Sequence, residues 1–265
     1  MQETSALERV MAVVRDLRVR CEWDRVQTRE TLRPYLVEEV LELDHAIGEN
    51  DAVAIREEMG DFLLHLAWQL VLAEERGEFT ADEVARATET KMQRRHPHLF
   101  DLGPRGGWEE VKRRERPRGV LEGLPPTLPS LLMAFRLQER AASVGFDWPN
   151  TAGPAAKVRE ELEEVERELA VAPGAAADES RRTLLADEIG DLLFAVVNLS
   201  RKAGIDPSGA LDGANRKFVR RFSAVESLAA ERSLEMHSAG LEALDHLWDE
   251  AKRRERSDAP GGRDV

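Results

Sequence analysis

Four blocks of this 265-residue chain occur twice, in the same order, and that repetition limits the fold more than any other feature. Trp108-Glu-Glu-Val-Lys-Arg-Arg-Glu-Arg116 is answered by Trp248-Asp-Glu-Ala-Lys-Arg-Arg-Glu-Arg256, and Glu58-Met-Gly-Asp61 by Glu188-Ile-Gly-Asp191. Glu38-Glu39-Val-Leu-Glu42 matches Glu160-Glu161-Leu-Glu-Glu164, and Lys91-Met-Gln-Arg-Arg95 matches Lys217-Phe-Val-Arg-Arg221. An ordered set of repeats is the mark of a duplicated module. The module is helical. Leu36, Val40 and Leu43 recur at i, i+4 and i+7, with Val37 and Leu41 widening the stripe, whereas alternating strand patterns are scarce. The expected fold class is all-α, in two tandem modules.

The breaks between blocks suggest boundaries. Gly103-Pro104-Arg105-Gly106-Gly107, the four prolines between Pro117 and Pro129, and Ala172-Pro173-Gly174 interrupt the helical pattern. Proline and glycine clusters of this kind end helices. The expected organisation is a first module over 1–116, a linker over 117–129, a second module over 130–256 and a disordered tail over 257–265.

Composition narrows the partners. Lys plus Arg total 38 against 51 Asp plus Glu, a formal charge of -13. A nucleic-acid surface needs a basic face to displace counterions, so no nucleic-acid partner is expected. No apolar run approaches the roughly 18 residues of a membrane span, so no membrane partner is expected either. The single cysteine, Cys21, excludes an intrachain disulfide, and the start lacks the basic-then-apolar order of a signal peptide. A cytoplasmic location follows as an expectation.

The chemistry lies in the carboxylates. On a helical wheel, Glu58, Asp61 and His65 share a narrow polar stripe on a helix otherwise made of Met59, Phe62, Leu63, Leu64, Leu66 and Ala67. Glu188 and Asp191 do the same among Ile189, Leu192, Leu193, Phe194, Val196 and Val197. Acids on so apolar a helix need a partner: an arginine of a neighbouring helix or a cation. Residues at i and i+3 share a face. Glu39 and Glu42 with Glu58 and Asp61, or Glu161 and Glu164 with Glu188 and Asp191, can therefore converge from two adjacent helices. Four like charges at one spot require a compensating ion. An all-oxygen ligand set selects Mg²⁺, with Mn²⁺ as the alternative. Lys217 and Arg221, at i and i+4, supply cations for a phosphate chain. The combination reads as phosphoryl or nucleotidyl chemistry. The apolar excess on these helices also predicts a homodimer.

As an ordered set, Cys21-Glu-Trp-Asp24 with Gln27-Thr28, Tyr35-Leu-Val-Glu-Glu39, Glu58-x-x-Asp61 and Arg94-Arg95-His96-Pro97-His98 resemble the MazG nucleoside triphosphate pyrophosphohydrolases. Leu128-Pro129 to Gln138, Val144-Gly-Phe-Asp-Trp148 and Asn215-x-Lys217-Phe-x-x-Arg221-Phe222 extend the likeness through the second half. The resemblance implies four-helix modules, a dimer, and Mg²⁺-dependent hydrolysis of nucleoside triphosphates to monophosphate and pyrophosphate. It implies broad nucleotide specificity, with a link to stress responses in some members. By resemblance, Glu161, Glu164, Glu188 and Asp191 are the metal ligands, and Glu39, Glu42, Glu58 and Asp61 a second set. Glu160 is the candidate base, while Lys157, Lys217 and Arg221 face the phosphates. Asn215, Trp248 and Lys252 complete the substrate set, Trp248 stacking on the base or else packing in the core. The chain departs from the family pattern at Glu22 and Arg29, and Glu89 stands where the second module has Asn215. These departures fall in the first module, so the second is the expected catalyst. A dUTP or phosphoribosyl-ATP pyrophosphohydrolase, and a catalytically silent nucleotide-binding or partner-binding dimer, are the alternative readings.

Overall fold

Short polar residues start most of the helices. Ser5 accepts a hydrogen bond from the Glu8 amide and opens α1 (Ala6–Arg20). After the short α2 (Glu22–Arg25), Thr28 and Thr31 exchange side-chain to backbone hydrogen bonds at the head of α3 (Arg29–Glu49). Each such cap satisfies amides that have no partner within the helix. Asn50, with φ at 55°, ends α3 in the left-handed region that asparagine tolerates. Asp51 then caps α4 (Ala52–Glu75) through the Val53 and Ala54 amides. Only Asn50 and Asp51 separate the two helices, which pack along each other as a hairpin. Thr80 and Glu83 form the capping box of α5 (Ala81–Arg95), and a 3₁₀ turn follows at Pro97–Leu99.

This computed structural model describes residues 5–100, 119–170 and 179–258. The chain divides into two compact units, Met1–Glu115 and Arg116–Val265. The second holds α6 (Ser130–Ala142), α7 (Ala152–Ala170), α8 (Glu179–Lys202), α9 (Pro207–Glu231) and α10 (Gly240–Asp258). Among the described residues there is no strand, so the fold is all-α as expected, and no helix is long and apolar enough to cross a membrane. The repeated acidic blocks sit on equivalent helix pairs, α3 with α4 and α7 with α8. The first Trp-x-x-x-Lys block, from Trp108, and the breaks at Gly103 to Gly107 and Ala172 to Gly174 lie outside the described residues. So do residues 117–118 of the expected linker and the tail from 259 onward. The described part of that linker, 119–129, is tied to the second unit. There the guanidinium of Arg140 donates to the Leu121 and Glu122 carbonyls at 3.2 and 2.7 Å.

Unit one closes over the C-terminal half of α4. Trp68, Leu70, Val71 and Leu72 pack against Met11 and Val14 of α1 and Leu32 of α3. Arg18 locks the arrangement. It grips Glu75 of α4 through Nε and Nη2, and its Nη1 donates to the Asp24 and Gln27 carbonyls, fixing the turn that delivers α3. In unit two, Val225, Leu228 and Ala229 of α9 meet Leu247 and Ala251 of α10. The acid-bearing helices are less enclosed than their apolar sequences imply. Met59 is 57% exposed on α4 and Leu193 is 54% exposed on α8. The α9–α10 core is the firmest test of the packing. Leu228→Ala removes a fully buried side chain and is expected to cost about 2–5 kcal/mol, read as a lower urea midpoint with an unchanged slope.

Candidate functional site

Three acids of the second unit meet where α7 and α8 run side by side. Glu161, Glu188 and Asp191 each bring a carboxylate oxygen within 4.8 Å of the others. Glu161 is 4% exposed, and its Oε2 is buried without a hydrogen-bond partner. Its Oε1 lies 2.5 Å from Lys157 Nζ, which also donates to Glu160 Oε1 at 2.8 Å. The lysine stands one turn before Glu161, so helical spacing alone delivers it. Glu160 and Glu161 hold the Lys157 ammonium well above the usual lysine range, the Glu160 hydrogen bond contributing most. Desolvation pushes the Glu188 carboxyl above its ordinary value, and the charges of Glu164, Glu161 and Asp191 push it further. A cluster with these strains is what a cation relieves.

The fourth expected ligand stands apart. Glu164 Oε1 accepts from Arg167 Nη2 at 2.8 Å and does not join the tight group, though its charge is felt at Glu188. The remaining expected substrate residues lie on α9 and α10. Asn215 and Lys217 are exposed on α9, and Arg221 Nε donates to Glu255 at 2.6 Å. The Trp248 ring packs on Phe218, with centroids 5.4 Å apart, against the α9–α10 core. Lys252 pairs with Asp249 at 2.7 Å. None of these five lines the cavity at the carboxylates. Of the two roles open to Trp248, the contact with Phe218 corresponds to packing.

That cavity, about 860 Å³, carries Lys157, Glu161 and Asp191 together with Gln138, Phe146 and Trp148. Gln138 Nε2 donates to the Phe194 carbonyl at 2.8 Å, leaving its buried Oε1 unpaired. The Phe146–Trp148 segment is anchored by charge. Asp147 accepts from Arg201 Nη2 at 2.5 Å, from Lys202 Nζ at 2.8 Å and from the Trp148 amide at 2.9 Å. Chiefly through the Arg201 hydrogen bond, its carboxyl is lowered to about 2. Gly153 backs the Trp148 ring: a Cβ there would overlap it, so only glycine lets α7 start this close. Spacing gave no hint of Gln138, Asp147 or Arg201 as neighbours of the acids. Gln138 and Asp147 fell only within the resemblance, at the end of Leu128 to Gln138 and inside Val144 to Trp148, and Arg201 fell in no motif.

The first unit holds a parallel cluster. Glu39, Glu42 and Glu58 bring oxygens within 4.8 Å of one another. Desolvation raises the Glu39 carboxyl, followed by the charges of Asp61, Glu42 and Glu58, and desolvation also leads the rise at Glu58. Asp61 is exposed on the same turn of α4, outside the tight group. Beneath it lies His65, 7% exposed, its Nε2 3.8 Å from Glu39 Oε1.

The Asp147 anchor has a defined pH signature. Its folded-state value is depressed, so its contribution is complete above the ordinary value of 3.8 and is lost as pH falls toward about 2. Asp147→Asn is expected to lower the melting temperature by a constant amount at neutral pH, with the gap to wild type closing through that acid window. A gap that persists unchanged at the acid end would show that the ion pairs are not its source.

Comparison with known proteins bears on this site. Residues 27–100 match the MazG nucleotide pyrophosphohydrolase domain. The chain is 40% identical over 261 residues to the nucleoside triphosphate pyrophosphohydrolase/pyrophosphatase MazG of Thermotoga maritima, covering 95% of this chain and 98% of that protein. It is 39% identical over 267 residues to the nucleoside triphosphate pyrophosphohydrolase of Escherichia coli, covering 96% and 99%. The uncharacterized protein YabN of Bacillus subtilis shares 39% identity over 257 residues, which span 92% of this chain and 51% of that protein.

Proposed function

The chain belongs to the MazG nucleotide pyrophosphohydrolase family, and from that premise we propose that its second unit hydrolyses nucleoside triphosphates to the monophosphate and pyrophosphate. One observation carries the assignment to this unit: Glu161, buried with an unpaired oxygen, converges with Glu188 and Asp191 beside a cavity that also presents Lys157. The donor set fits a hard divalent ion. Glu161, Glu188 and Asp191 would hold Mg²⁺, or Mn²⁺, with Glu164 adjacent. When bound, such an ion polarises phosphate oxygens and acidifies water.

The chain's own groups do the rest. Lys157 turns from Glu161 toward the triphosphate and offsets its negative charge. Glu160, no longer sharing Lys157, takes the proton of the attacking water on a carboxylate oxygen, while the bond between the α- and β-phosphates breaks and pyrophosphate leaves. Phe146 and Trp148 offer apolar surface for the nucleoside end. A wall that stacks rather than reads base edges tolerates many bases, in keeping with broad specificity. Lys217 and Arg221 stay in the proposal as cations of α9, and Asn215, Trp248 and Lys252 as less direct contributors. The bare apolar faces of α4 and α8 support a homodimer. Near-full-length likeness to two nucleoside triphosphate pyrophosphohydrolases leaves the dUTP, phosphoribosyl-ATP and silent-dimer readings without comparable support.

Pyrophosphate release from a mixed nucleotide panel with Mg²⁺ tests the reading. Wild type is expected to be active on several triphosphates. Glu188→Ala is expected to lose about a thousandfold in rate, and Glu58→Ala little. Equal losses would assign catalysis to both units, and a loss confined to Glu58→Ala would reverse the assignment.

Metal removal gives an independent check. Mg²⁺ is expected to raise the melting temperature of the wild type by relieving like-charge repulsion. In Asp191→Ala the second-unit share of that rise should vanish while helix content is kept. Identical shifts in the two proteins would make Asp191 structural.

A further inference from the structure

The cavity of the second unit has a polar end away from its acids. Asp191, Ala195 and Asn198 all line it along α8, and the helical rise puts Asn198 about 10 Å beyond Asp191. With phosphates at the acid cluster, a sugar and base would extend toward that far end. Two amides stand there. The Phe194 carbonyl, which points along α8 toward Asn198, receives the side chain of Gln138 from α6.

Neighbours fix which way each amide faces. Gln138 Nε2 donates to the Phe194 carbonyl at 2.8 Å. Turning the amide over would set two oxygens against each other, so Oε1 is held as an acceptor. That oxygen is buried without a hydrogen-bond partner, on a residue 6% exposed. Asn198 Oδ1 accepts from Arg201 Nη2 at 2.8 Å, which leaves Nδ2 as the donor that Asn198 offers. Arg201 is held in turn by Asp147. Packing does not account for the buried oxygen: an apolar side chain would fill the place without the cost of an unpaired acceptor.

Phe146 and Trp148 give the cavity apolar surface that selects no particular base. The group that meets a fixed acceptor and a fixed donor through one atom is a hydroxyl, which donates and accepts together. We propose that Gln138 and Asn198 form a sugar subsite, in which Oε1 of Gln138 accepts from, and Nδ2 of Asn198 donates to, a hydroxyl of the nucleoside's pentose. The site then reads the sugar while it tolerates many bases. This inference rests on the nucleotide reading of the second unit. A nucleotide without the hydroxyl leaves both amides unpaired, and a site built to hydrogen-bond a hydroxyl discriminates against the analogue that lacks it.

Binding of a monophosphate, rather than turnover, separates the subsite from the hydrolytic reading. Full-length protein with Mg²⁺ is titrated with adenosine 5′-monophosphate and its 2′-deoxy, 3′-deoxy and 2′,3′-dideoxy forms, followed by ligand-observed NMR. In wild type the dideoxy form is expected to bind about tenfold more weakly than the ribose form, and the single-deoxy forms identify the hydroxyl. Gln138→Met, close in volume but without the acceptor, is expected to bring that ratio to about one. A purely structural loss would weaken both ligands alike and leave the ratio unchanged. Equal affinities in wild type, or an unchanged ratio in Gln138→Met, overturn the proposal. Purine riboside monophosphate, which lacks the amino group of adenine, supplies a further arm. If Gln138→Met erases discrimination against that ligand instead, the amide reads the base and the sugar subsite is overturned. Should Gln138→Met fail to fold by circular dichroism, Asn198→Ala decides, and an undiminished ratio there also overturns it. Triphosphates left intact by a wild type that still shows the ratio would strike the hydrolytic reading alone.

Discussion

The cavity of the second unit is arranged around a carboxylate in an unfavourable place. Glu161 is 4% exposed, and one of its oxygens has no partner. Leaving a buried charge half-satisfied costs several kcal/mol in most proteins. Lys157 offsets part of that cost on Oε1, and the neighbouring acids Glu188 and Asp191 increase it. Such a group persists only when its backbone is held by packing that does not depend on it. Here the holding is done by the length of α7 against α8, and by Gly153, which lets α7 begin directly over Trp148.

Placing acids on paired helices solves a positioning problem with few parts. A residue pair at i and i+3 gives one face two carboxylates, and a second helix alongside gives the rest. Only the register between the helices must be set. In unit one it is set by a connection of two residues, where Asn50 adopts the left-handed conformation and Asp51 caps the next helix. In unit two the interhelical hydrogen bond from Arg181 to the Glu168 carbonyl, at 2.6 Å, ties α8 to α7. Each unit thus brings three carboxylates together, though from different positions: Glu39, Glu42 and Glu58 in the first, Glu161, Glu188 and Asp191 in the second.

Much of this was legible in sequence, for a physical reason. Helical periodicity and the i, i+3 pattern are local, so the blocks Glu39 to Glu42, Glu58 to Asp61, Glu161 to Glu164 and Glu188 to Asp191 announce both helix and face. What escaped was set by side-chain choices between competing partners. Glu164 is on the correct face, yet Arg167 on the next turn captures it at 2.8 Å. Trp248 could stack or pack, and Phe218 on another helix takes it. The anchors of the cavity escaped because they are non-local: Gln138 reaches Phe194, and Arg201 reaches Asp147, across more than fifty residues in each case. No periodicity encodes such pairs.

The same distinction explains why the two acid-bearing helices fare differently. From His65 to Ala73, α4 is sunk into its own unit, so its acids project from a helix anchored by Trp68 and Val71. On α8 the described buried apolar residues are Ala195 and Val197, while Leu193, Phe194 and Val196 face outward. Phe194 is the hinge of the matter. Its side chain is 44% exposed, it lines the cavity, and its carbonyl receives the Gln138 amide. Apolar surface left in water forgoes about 25 cal/mol per Å², so any layer that covers the outer face of α8 is favoured by the hydrophobic effect and bears directly on a residue of the cavity wall. Covering that helix and shaping the site are therefore one structural problem in the second unit, whereas in the first the C-terminal half of α4 is already held by Trp68 and Val71.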